Sequence, residues 1–172
     1  MTERQKFQVI QKYEDFELRR YEACVIAEVE MNSDFGSATN GAFRYLFNYI
    51  SKGNQKRQGI SMTAPVIATT TETMDSDNWR VSFVMPHGSK LEHLPLPEDA
   101  RVKLVAMPPQ ECVALPFKGK ANMKLAEQKE RELRDSAMAA GLMLSSETRV
   151  SRFDPPFKPG FLMYNEIVIP LQ

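Results

Sequence analysis

Apolar and polar residues alternate along much of the chain. In ACVIAEVEM, Val25, Ala27, Val29 and Met31 share one side of an extended backbone while Glu28 and Glu30 take the other. In WRVSFVM, Trp79, Val81, Phe83 and Met85 oppose Arg80 and Ser82. A period of two marks a half-buried strand. YEDFELRRY, with Phe16 and Leu18 in phase, and ARVKLVAM, with Val102, Leu104 and Ala106, repeat the pattern, and ECVALPF, TRVSRF and NEIVIPL predict three further strands. Two segments switch to a helical period. One helix is predicted over 37–51 and a second over 122–140, stopped by Gly53 and Gly141, each suited to a left-handed position just past a helix end.

The order is strand, helix, strands, and then the same again. Cys24 and Cys112 stand 88 positions apart, as do Gly53 and Gly141, and ACVIA and ECVAL run in the same phase. A single β-α-β-β unit leaves one face of a small sheet open, so two of them join. The expected fold is α+β: duplicated β-α-β-β units forming a curved, barrel-like, mainly antiparallel sheet with two helices packed outside. One domain spans 1–172, with pseudo-repeats at about 8–86 and 101–171. The polar and Pro-rich stretches SKGNQKRQG, TETMDSDN and PHGSKLEHLPLPED read as connections between elements.

The first helix carries more apolar surface than one sheet can cover. Ala38, Ala42, Tyr45, Leu46 and Tyr49 form an inner stripe, and Ile50, Phe43 and Phe47 widen the apolar arc to roughly 200°. Phe43 and Phe47 either pack beneath a neighbouring loop or form one wall of an open groove able to hold a flat hydrophobic ligand. The second helix is charged on one side, with Ala126, Leu133, Ala137 and Met138 toward the other, an amphipathic surface helix.

Composition narrows the chemistry. With 22 basic and 22 acidic residues, no net field attracts nucleic acid or an anionic membrane. No apolar run is long enough for a signal peptide or a membrane span, so the expected location is cytoplasmic. Cys24 and Cys112 belong to no zinc pattern and read as reduced structural thiols. No Gly-rich phosphate loop, HExxH, GxSxG or EF-hand pattern occurs. Glu166 and one of Arg19 and Arg20 are expected to form an inter-strand ion pair with a structural role.

The blocks ISMTAPV, YEDFELRRY, WRVSFVMP, LPLPEDARVKL and FDPPFKPGFLMYNEIVIPL, in this order and spanning nearly the whole chain, resemble the SOUL haem-binding protein family. The MTAPV and DPPFKP blocks together carry the resemblance. It implies two β-α-β-β units, as in the effector-binding domains of some bacterial regulators, and non-covalent binding of haem or another tetrapyrrole in a shallow apolar cleft beside the first helix. The family's helix residues facing the porphyrin fall on Phe43 and Phe47. Its basic residues near the propionates fall on Asn40 and Asn48, which carry no charge, and on Lys158, which does, so that propionate pairing is expected from Lys158 with Arg44. Phe157 and Phe161 are expected to close the cleft. A histidine found in one branch of the family is replaced by Arg20, whose guanidinium has no free lone pair for iron.

Axial ligation therefore falls to other residues. Of the two histidines, His87 and His93, both in the loop after VSFVMP, His87 is nearer the strand end and is the metal-ligand candidate; Met62 and Met163 could serve as thioethers and Tyr45 as a phenolate, though all three suit a core. The functional expectation is a tetrapyrrole carrier, buffer or chaperone. The alternative is an effector-binding or tetrapyrrole-modifying module on the same scaffold, which needs a buried polar group such as a glutamate in its cleft. ISMTAPV itself reads as architecture, with Thr63 satisfying backbone groups and Pro65 at a strand end.

Overall fold

A computed structural model describes residues 2–155 and 157–172. Among these residues eleven strands and two α-helices follow one another as β1 (Glu3–Arg4), β2 (Phe7–Lys12), β3 (Glu17–Tyr21), β4 (Cys24–Met31), α1 (Phe35–Ile50), β5 (Thr63–Ala64), β6 (Val66–Thr70), β7 (Trp79–Val84), β8 (Lys103–Met107), β9 (Gln110–Lys118), α2 (Met123–Ala139), β10 (Thr148–Arg152) and β11 (Tyr164–Pro170). Nine strands form one antiparallel sheet in the order β2-β3-β9-β11-β10-β6-β7-β4-β8, and β1 and β5 form a small parallel pair beside it. The units β4-α1-β6-β7 and β9-α2-β10-β11 meet where β6 pairs with β10. They are also laced together by exchange: β3, which leads into β4, pairs with β9, and β8, which leads into β9, pairs with β4. The α+β architecture expected from the alternation is thus present, with the two helices on one face of the curled sheet.

Polar residues at the helix ends set the boundaries. Asp34 and Asn122, 88 positions apart, cap α1 and α2 by accepting from the backbone N–H of Ser37 at 2.8 Å and Leu125 at 2.9 Å. Both helices also end alike, with the N–H of Gly53 donating to the Asn48 carbonyl and that of Leu142 to the Ala137 carbonyl. The glycines differ from the sequence expectation in one respect. Gly141 does take the left-handed conformation, at φ 81°, but in α1 that position is filled by Lys52, also at φ 81°. Gly53 is needed for space instead, since a Cβ there would lie 2.5 Å from the Asn48 carbonyl oxygen.

Apolar phases of the strands face the helices. Val25, Ala27, Val29, Trp79, Val81, Phe83, Val150, Ile167 and Ile169 join Ala38, Ala42, Leu46, Tyr49, Ala126, Leu133 and Ala137 in one core. Met138, expected on the inner side of α2, is instead exposed, because the α2 stripe is one residue narrower than its composition implies. The opposite face of the sheet is covered too, by its own curvature: Tyr21, Cys112, Ala114 and Val168 form one buried cluster there, and Ile26, Ile67 and Val84 another. β2, absent from the sequence expectation, has all six residues exposed and lies at the sheet edge, so no buried phase marks it.

The segment after α1 is held by one side chain. Asn54, buried, donates through Nδ2 to the carbonyls of Tyr49 (3.0 Å) and Gln58 (2.8 Å) and accepts through Oδ1 from the N–H of Lys56 and Gln58. Replacing it strands buried backbone groups. Asn54→Ala is expected to lower the unfolding free energy by about 2–4 kcal/mol in urea titration, while Gln55→Ala, at an exposed neighbour, stays within about 0.5 kcal/mol of the parent.

Candidate functional site

α1 lies on β4 and β7 and α2 on β9 and β11; between them Ala68, Thr70, Thr148 and Val150 of the central strands β6 and β10 are buried, and Val66 and Arg152, paired at one end, are the half-exposed floor of a groove beside α1. The wide apolar arc of α1 meets this groove. Phe43 and Phe47 stack with ring centroids 5.8 Å apart and planes 13° from parallel, and remain 40% and 49% exposed. Phe43 is seated edge-on against Phe83 of β7 at 5.4 Å. Of the two readings open at these positions, burial under a loop does not occur; a half-exposed aromatic wall is what stands there. One strand over from Phe83 lies Val66, and one further lies Arg152, both on the helix-facing side. Sequence reasoning passed over Arg152, although its signal was legible: in TRVSRF a charge sits in phase with the buried Val150.

The other expected site residues are spread around this wall. Phe157 and Phe161 project from the loop between β10 and β11, 87% and 75% exposed. Asp154 anchors that loop by accepting from the Tyr164 N–H at 2.6 Å and from the Lys158 ammonium at 3.0 Å, so Lys158 already has an anionic partner; the two hydrogen bonds hold the Asp154 carboxyl below its usual pKa. Arg44 turns to the other edge of α1, donating to the Tyr45 hydroxyl at 3.2 Å and lying over its ring, where Arg101 also stacks. His87 is exposed in the turn after β7, its backbone N–H donating to Glu3 Oε2 at 2.7 Å. It lines a rim groove of about 380 Å³ with Glu3, Lys6, Glu22, Cys24 and Met107, a lining that includes neither Phe43 nor Phe47. His93 is exposed in a short 3-10 turn. Met62 and Met163 are half-buried and Tyr45 half-buried.

Thiolate ligation is disfavoured by burial, which raises the Cys24 pKa and pushes that of Cys112 up to about 11. Among the described residues, no group of three or more His, Cys, Asp and Glu is placed to hold a metal ion.

The opposite face of the sheet holds the expected ion pair. Arg19 of β3 reaches over Cys112 and Ala114 of β9 and meets Glu166 of β11 through two parallel hydrogen bonds, Nη1 to Oε1 at 2.8 Å and Nη2 to Oε2 at 2.9 Å. It also donates to the Tyr21 hydroxyl and to Glu17, it lies 4.1 Å from the Phe7 ring centroid, and the Tyr164 hydroxyl donates to Glu166 at 2.6 Å. Burial pushes the Tyr21 and Tyr164 phenols well above their ordinary range, so both stay protonated, Tyr21 accepting from Arg19 and Tyr164 donating to Glu166. Every member of the cluster is paired, which is the condition for a buried charge to persist. Beside it a cavity of about 90 Å³ is lined by Cys24, Ile26, Glu28, Ile67, Arg80 and Met107. Glu28 there is half-buried, its pKa raised by burial and only partly offset by Arg80 at 3.8 Å.

A family model described as SOUL heme-binding protein matches residues 2–170. The chain belongs to the SOUL haem-binding protein family. Among curated proteins none matches it. Similar solved structures share the fold at low identity. The EcmrR C-terminal domain aligns with TM-score 0.72 and 15% identity over 96% of this chain and 98% of that one. A hydrolase from Listeria innocua aligns with TM-score 0.67 and 15% identity over 95% and 94%. SAV2435, solved with tetraphenylphosphonium, aligns with TM-score 0.54 and 11% identity over 92% and 94%. Among the described residues, no helix of this SOUL-family chain is long and apolar enough to cross a membrane.

Because the Arg19–Glu166 pair is buried across β9, Glu166→Ala leaves a buried guanidinium without this anion. Chemical denaturation is expected to show a loss of about 3–5 kcal/mol for Glu166→Ala, and the apolar double replacement Arg19→Met with Glu166→Leu to recover most of it.

Proposed function

We propose that the protein binds haem or a related tetrapyrrole non-covalently in the groove beside α1, as a carrier, buffer or chaperone. The observation that supports this reading best is the Phe43–Phe47 stack. Two parallel rings left half-exposed on an otherwise well-packed helix offer a flat apolar wall, and one of them is fixed by Phe83 rather than free to collapse. The group fits what is present: the wall accepts a macrocycle face, Phe157 and Phe161 project where a loop could fold over it, and Lys158 offers a cation to a propionate at the cost of sharing it with Asp154. When bound, haem would supply its iron chemistry; the protein's part is to cover the macrocycle's apolar faces and hold its carboxylates. Iron ligation by His87 would need a different placement, in the charged rim groove, where less apolar surface is available to bury the ring.

Haemin titration followed by its Soret band is expected to saturate near one equivalent. Phe43→Asp combined with Phe47→Asp should weaken binding about tenfold or more, since each 1.4 kcal/mol of lost apolar burial is a factor of ten. Saturation far above one equivalent, or unchanged affinity in the double variant, would sink the reading.

A second reading has one specific observation in its favour, the partly compensated Glu28 beside the inner cavity. It supports an amphipathic cation as ligand, the kind of compound solved with SAV2435. The cavity, at about 90 Å³, is smaller than the roughly 300–1,000 Å³ of a drug-sized pocket, so the sheet must open to admit one. Calorimetric titration with tetraphenylphosphonium separates the two: binding lost in Glu28→Gln and kept in the Phe43/Phe47 variant supports this second reading, and no measurable heat discards it.

A further inference from the structure

Among the described residues, Arg152 is a charge on the groove floor that the protein leaves unpaired. A row of residues runs across the helix-facing side of the sheet from Ala27 through Phe83, Val66, Arg152 and Asn165 to Phe117, each the Cα partner of the next. Five of the six are apolar or neutral. Asn165 commits its amide N–H to the Gly119 carbonyl at 2.7 Å, and Val66 has nothing to offer a cation. The row contains no carboxylate. Among the described residues the Arg152 guanidinium makes neither a hydrogen bond nor an ion pair, and burial pulls its pKa down from the ordinary value with no opposing cause.

Other arginines on the sheet behave differently. Arg19 has Glu166 and Glu17, Arg80 has Glu28 and Glu147, and Arg149 has Glu147 and Gln110. A half-buried guanidinium carries five donors in a planar fork, and at Arg152 the stem is buried while the fork still reaches solvent, open to a ligand. The side chain is also well placed. Val66 separates its strand from Phe83, so Arg152 stands two strands, roughly 10 Å, from the strand on which Phe43 is seated.

We propose that Arg152 is the carboxylate anchor of the groove, receiving an acidic substituent of a flat ligand whose ring face lies on Phe43 and Phe47. The proposal rests on the groove reading above and adds to it the cation that orients the ligand by one of its carboxylates. Lys158 differs in kind, since its ammonium already meets Asp154 while Arg152 has a free fork for bidentate contact.

The test uses iron(III) mesoporphyrin and its dimethyl ester as paired probes, titrated into the wild-type protein, Arg152→Gln, Arg152→Lys and Phe43→Asp. Arg152→Gln should weaken the free acid about 10- to 100-fold and leave the ester unchanged. Arg152→Lys, which keeps charge and stem but loses the fork, should retain folding and fall between the two. In a Lys158→Ala background the protein should still prefer the free acid over the ester by about tenfold or more. Equal affinity for acid and ester in that background, or equal weakening of both probes by Arg152→Gln, overturns the anchor, the latter showing that only the stem's packing matters. If Phe43→Asp alters neither probe, the groove reading itself has failed; if it weakens both while Arg152→Gln changes neither, the groove stands and the anchor is wrong.

Discussion

Each half of this chain supplies the strand that closes the other half's sheet. β3 leaves its own unit to pair with β9, β8 leaves its own to pair with β4, and β6 and β10 join the units in the middle. Backbone donors and acceptors at a sheet edge must be paired or wetted, and this exchange pairs them at three seams. The same exchange curls the sheet until its helix-free face is also buried, which is why Ile26, Ile67 and Val84, or Cys112 and Ala114, are covered with no second layer above them.

The two faces then resolve buried polarity in opposite ways. On the inner face Arg19, Glu166, Tyr21 and Tyr164 satisfy one another, with small residues beneath the long arginine and an aromatic ring over it. Such a network holds one arrangement of strands and has little left to offer a ligand. On the outer face most of the central strands are buried beneath the helices, but at one end the aromatic pair stays half-exposed, and among the described residues Arg152 makes no ion pair. Surface that folding does not use is where binding chemistry has room.

The ISMTAPV block belongs to the first kind. Thr63 donates its hydroxyl to the Val84 carbonyl at 2.6 Å, Thr63–Ala64 pairs with β1, and Pro65 stands between β5 and β6, where its missing N–H breaks no ladder bond. With Asn54 just upstream it carries the chain from the end of α1 back into the sheet at the strand that pairs with β10. A segment that marks the family by sequence therefore serves the seam between the units and contributes Val66 to the groove floor.

By itself the sequence determined the elements and their kind: alternation of period two gave seven of the strands, the helical arcs and capping residues gave both helices to within two residues, and the spacing of 88 pointed to paired units. The excess arc on α1 likewise marked Phe43 and Phe47 before any contact was known. These are local properties, written in periodicity and in side-chain chemistry at element ends. Partner choice was not local. That β3 and β8 cross between units, that Arg19 rather than Arg20 meets Glu166, that Lys158 is held by Asp154 and Arg44 by Tyr45, and that Arg152 is left without an anion all depend on which strands lie side by side. β2 escaped sequence analysis because its apolar residues, Phe7, Val9 and Ile10, fall on both phases of an exposed edge strand and mark no buried side. Register and adjacency arise from the packing of the whole sheet, and only the tertiary structure decided them.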